Sequence, residues 1–153
     1  MYPAILLVHS WLRWAVLLLG VFAIVRAISG AMGRRPWQPA DERAGKFFVI
    51  ALDAQMLLGL VLYFLLSPIT RAALSDFAGA MQNPGMRFWA VEHVFGMVIG
   101  IVLAHRGQSR VRQVPDPVRK HRVAAVFFVL ALIAILASIP WPGAPNGRPL
   151  LRG

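Results

Sequence analysis

Apolar residues run almost unbroken through four stretches, approximately 3–28, 47–66, 88–105 and 123–139, and none of them alternates polar with apolar as a half-buried strand does. Each is close to the roughly 20 residues that an α-helix needs to cross a hydrocarbon core. Backbone amides inside lipid must be satisfied within their own segment, so these runs predict helices. Four of them predict an all-α integral membrane four-helix bundle, a single transmembrane domain over 1–153. The first run reads as a retained span and not as a cleaved signal peptide. Met1 to Leu7 lacks a basic residue, and Arg26 to Gly30 ends the run without a small-x-small site.

Two segments between and after the runs carry their own signals. In the connection 67–87, Leu74, Phe77, Ala78 and Met81 fall at i, i+3, i+4 and i+7, which predicts a short helix lying on the membrane surface. The tail 140–153 opens with Pro140-Trp141-Pro142-Gly143-Ala144-Pro145, which cannot continue a helix and whose Trp suits the headgroup level.

Composition agrees with this picture: 58% of the residues are hydrophobic and only 14% charged, against about 45–50% apolar and about 25% charged in soluble domains. The net charge of +10 would suggest nucleic acid if it covered a folded surface, but the basic residues lie between apolar runs and instead report topology. Eleven of them (Arg26, Arg34, Arg35, Arg43, Lys46, Arg106, Arg110, Arg112, Arg119, Lys120 and Arg122) surround the first and third connections. Only Arg71, Arg87, Arg148 and Arg152 lie on the other side, which predicts both termini outside, on the periplasmic side of a bacterial inner membrane. The expected partners are the lipid bilayer and other membrane subunits, with no nucleic acid. The absence of cysteine excludes disulfides, iron–sulfur clusters, thiolate zinc, thiol catalysis and covalent c-type haem.

Ionisable groups within the spans are costly enough to need a reason. His9 lies about two turns into the first span, with Arg13 a turn deeper on the same face. His93, beside Glu92, lies at a similar depth in the third span, and Gly96 and Gly100 follow it at i+3 and i+7. Two histidines at one depth on two helices suit bis-imidazole ligation of a b-type haem, with the glycines leaving room for a flat macrocycle. The same glycines equally form a GxxxG packing face, and a membrane histidine can simply hydrogen-bond a neighbouring helix. Arg13 would neutralise a haem propionate or pair with Glu92. On the inner side, Asp53, His105 and His121 form a candidate polar site for a second haem or a quinone headgroup. Both of those histidines, however, read as solvated residues at the water boundary. Asp53 calls for a partner, with Arg26, His105 and Arg106 nearest in depth.

The segments His9-Ser10-Trp11-Leu12-Arg13-Trp14, Gln55 to Phe64, Val91-Glu92-His93, Lys120-His121 and Ile139-Pro140-Trp141-Pro142 resemble small four-span bacterial membrane proteins labelled cytochrome b-like. The resemblance covers nearly the whole chain and implies haem and electron transfer. It also implies a histidine two residues before Gln55, where this chain has Asp53, so one inner ligand is missing while His9 and His93 remain. The expected function is a cytochrome b-like electron carrier or subunit with one haem near the periplasmic face, rather than an enzyme by itself. The alternatives are a cofactor-free accessory subunit of a respiratory or photosynthetic complex, and, with less behind it, a small transporter using Asp53.

Overall fold

Five of the six helices carry a proline in their first two positions, where its missing N–H goes unmissed and its fixed φ suits the first turn. In the computed structural model, which describes residues 1–151, these helices are α1 (Tyr2–Met32), α2 (Pro39–Leu66), α3 (Pro68–Ser75), α4 (Phe77–Gln82), α5 (Pro84–Gln113) and α6 (Pro117–Ser138). Side-chain caps fix the starts of the later ones: Ser67, Asp76, Asn83 and Asp116 each accept from a backbone N–H three residues on. No strand occurs among the described residues.

Helices α1, α2, α5 and α6 are long and apolar enough to cross a membrane, so the chain is a multi-pass membrane protein with an up-down-up-down bundle. They outrun the apolar stretches mainly at one end, where α2 begins at Pro39 and α5 continues to Gln113. At about 1.5 Å per residue, the 31 residues of α1 span roughly 46 Å, well beyond a hydrocarbon core of about 30 Å. Arg152 and Gly153 of the tail lie outside the described residues. The start of α1 and the described tail lie at the same end of the bundle, called outer below, because the Leu150 carbonyl accepts from Arg13 and Trp14.

Small residues set the helix spacing. A Cβ on Gly96 would strike the Ser138 hydroxyl, one on Gly100 the Ile135 side chain, and one on Gly107 the Phe127 side chain, so α5 and α6 approach closely along this stripe. Gly20 faces the ring of Phe48, which is fully buried and meets Phe128 edge to face at 5.6 Å. Gly96 and Gly100 therefore serve contact between α5 and α6 rather than leaving room for a macrocycle.

The connection 67–87 departs from the single surface helix expected there. It forms α3 and α4, separated at Asp76 (φ −135°, ψ 77°), whose carboxylate caps α4. The physical reason is that an Asp at this position gains more as a cap than as a mid-helix residue. The buried face is Thr70, Ala73 and Ala80, while Leu74 and Phe77 remain exposed.

Candidate functional site

The outer end of the bundle holds a cavity of about 250 Å³ between α1, α2, α3, α5, α6 and the tail, just below the roughly 300 Å³ at which small-molecule sites begin. Its walls are mainly aliphatic and aromatic, and among the described residues its lining contains no Asp or Glu. Two π-helical turns flank it, Leu62–Leu66 at the end of α2 and Phe88–Glu92 just before His93. Each takes up an extra residue and re-phases the side chains that follow, a feature common at functional sites. The two turns are tied together: the Tyr63 hydroxyl donates to the Ala90 carbonyl at 2.7 Å, and Thr70 Oγ1 donates to the Tyr63 carbonyl at 2.7 Å.

His9, Arg13 and His93 all line this cavity. The His93 ring is oriented by its Nδ1, 2.7 Å from the Ser138 carbonyl oxygen. A carbonyl only accepts, so Nδ1 carries the proton and the lone pair is left on Nε2. This is the tautomer, and the kind of backbone support, that a metal-ligating histidine usually has. Phe88 and Trp89 pack against the same ring at 5.9 and 5.5 Å. His9 is held differently. Gln55 donates to its backbone carbonyl at 3.0 Å, Gly59 gives its ring space, and its buried Nδ1 has no hydrogen-bond partner. Leaving a buried polar atom unpaired costs roughly 1–3 kcal/mol, so the His9 ring keeps hydrogen-bonding capacity to spare beside the cavity.

Cations gather where the tail closes over the cavity. Arg13 donates to the Leu150 carbonyl at 2.7 Å, and the Trp14 indole donates to the same oxygen at 3.1 Å. Arg148 and Pro149 also line the cavity, and the Arg148 guanidinium lies 5.2 Å from the Trp89 ring centre. Glu92 is engaged by Arg87 at 2.7 Å. Arg13 and Arg148 give this apolar chamber a basic rim among the described residues, suited to an amphipathic molecule bearing acidic groups.

The inner residues do not converge on one site. Asp53 pairs with His105 at 2.8 Å, both about half exposed, giving a carboxylate–imidazole couple able to pass a proton at the edge of the bundle. Arg26 does not join it. His121 corrects the expectation of a solvated boundary residue: it is completely buried. Gly30 makes this burial feasible, because a Cβ there would strike the His121 ring. Trp37 covers the ring at 4.7 Å between centroids, and Asp41 Oδ2 lies 4.0 Å from Nε2.

Asp41 itself is the centre that sequence reasoning missed. Its side chain is 1% exposed and accepts from Arg26 and from both terminal nitrogens of Arg35 at 2.7–2.8 Å, and from the Gln38 backbone N–H at 2.9 Å. The hydrogen bond to Asp41 raises the pKa of Arg35 above its already high value. One carboxylate thus joins α1, the first connection and α2. Its position, in the first turn of a helix opened by Pro39, is the signal that was legible. Gly30→Ala should drive a methyl into the His121 ring beside this centre and destabilise the fold by about 1–3 kcal/mol; thermal unfolding in detergent checks it.

Comparison of the chain with known family models, curated proteins and solved structures finds no match. Among the described residues there is no group of three or more His, Cys, Asp or Glu able to hold a metal ion. A haem, whose macrocycle supplies the other ligands to its iron, would need no third protein ligand. The donor set fits that case: two imidazoles on one cavity, one pre-oriented and one with an orphaned buried nitrogen, beneath a cationic rim.

Proposed function

We propose that the protein is a cytochrome b-like electron-transfer protein or membrane-complex subunit of the bacterial inner membrane, holding one b-type haem in the outer cavity between His9 and His93. The observation that carries this reading is the His93 Nδ1 contact with the Ser138 carbonyl, which directs a free Nε2 lone pair. The haem supplies a one-electron redox couple when bound. His93, already oriented by the Ser138 carbonyl, and His9 would be the two residues that hold it. The aliphatic walls exclude water, and Arg13 and Arg148 neutralise the acidic groups at the rim. The basic residues at the opposite end support a cytoplasmic position for that end, with the cavity opening towards the periplasm.

A single site limits what the carrier does. His105 is engaged by Asp53 and His121 is sealed by Gly30 and Trp37, which supports electron exchange at the outer face with a partner rather than transfer across the membrane. A reduced-minus-oxidised absorption spectrum of protein purified in mild detergent, with haem extracted and quantified, tests the reading. About one b-type haem per chain is expected; folded protein that neither retains nor takes up haem contradicts it and leaves a cofactor-free accessory subunit. Arg148→Gln should keep the haem but lower its midpoint potential by about 20–40 mV, the one-electron equivalent of roughly 0.5–1 kcal/mol of lost charge stabilisation. Redox titration reads this shift, and an unchanged potential removes Arg148 from the rim.

A further inference from the structure

The end of the bundle opposite the haem cavity carries a second feature, independent of any cofactor. A groove between the end of α1 and the start of α6 is lined by Arg34, Arg119 and Arg122, with Asp116, Val126 and Phe127. All three arginines are exposed, and none makes a side-chain hydrogen bond or ion pair among the described residues. This sets them apart from Arg26 and Arg35, which Asp41 holds, and from Arg112, which Glu42 holds. The one carboxylate in the groove, Asp116, is committed to capping α6 through the Arg119 backbone N–H.

Below the charges the same helix face turns apolar. Arg119, Arg122, Val126, Leu130 and Ile133 follow one another at spacings of three and four residues, and the last three are 56%, 47% and 56% exposed. Three uncommitted guanidiniums at the water boundary above an open apolar stripe match an anionic headgroup with its acyl chain beneath, as in the basic inter-helix pockets that hold acidic lipids.

We propose that this groove is a specific site for an anionic phospholipid, with the phosphate held by Arg34, Arg119 and Arg122 and an acyl chain along Val126, Leu130 and Ile133. Each arginine close to an acidic lipid contributes about fivefold in affinity, so removing three should cost on the order of a hundredfold. The test is native mass spectrometry of the full chain, delipidated and then titrated with phosphatidylglycerol or phosphatidylcholine. The wild type should retain one phosphatidylglycerol in preference to phosphatidylcholine. The triple variant Arg34→Gln, Arg119→Gln, Arg122→Gln should lose that preference, whereas Arg106→Gln with Arg110→Gln, exposed at the same end, should keep it. Circular dichroism and the elution volume in detergent establish that each variant is folded. Equal retention of the two lipids by the wild type overturns the proposal, as does an unaltered preference in the folded triple variant. Displacement of the lipid by millimolar inorganic phosphate overturns it too, by marking a site for free anions.

Discussion

His93→Ala is expected to lower haem affinity by at least about a hundredfold, whereas His9→Ala should leave a weakened, five-coordinate complex. The asymmetry follows from how the two rings are held. His93 is fixed by the Ser138 carbonyl and by Trp89, so its tautomer and direction are set before any ligand arrives. Support of this kind is worth roughly 10–100-fold in metal affinity, and losing the ligand itself costs more. No hydrogen bond fixes the His9 ring through Nδ1, so its direction is not set in advance and its removal should cost less than that of His93. Titration of haem into each purified variant, followed by absorption, measures both affinities. Equal, undiminished binding by the two variants would remove these histidines from the site.

The second large effect concerns stability rather than the cofactor. Asp41→Ala leaves Arg26 and Arg35 facing each other with their shared carboxylate gone, the Gln38 N–H uncapped and His121 without its nearby charge. Breaking a buried ion pair from one side costs about 3–5 kcal/mol. Both arginines are near 30% exposed, so water recovers part of this and about 3 kcal/mol is the expected loss. For a chain of this length that corresponds to a fall of roughly 6–12 °C in the unfolding midpoint. Circular dichroism melts in detergent measure it, and a midpoint within about 2 °C of the wild type would show that the cluster does not hold the inner end together.

The four spans were legible because lipid imposes length and apolarity, and the structure keeps them with longer inner ends. Those ends were harder to read, since Pro39 to Lys46 and Arg106 to Gln113 are helical by capping and propensity rather than by hydropathy. The shared depth of His9 and His93 was readable from helical rise, and both line one cavity. What periodicity cannot give is which neighbour faces which residue. Gly96 shares a helix face with His93 in the 3.6 repeat, and both meet Ser138 on α6, a partner that the repeat does not name. His121 looked solvated among its basic neighbours because its burial depends on Gly30, about ninety positions away. Arg148 joined the cavity only through the fold of the tail, which has no periodic signal at all.

Electron paramagnetic resonance of the oxidised protein reports whether His9 and His93 together hold one haem. The expected spectrum is that of low-spin ferric haem with two imidazole ligands, turning high-spin in His9→Ala and vanishing with the haem in His93→Ala. A low-spin signal that persists unchanged in both variants, or no haem signal from folded wild-type protein, would contradict it.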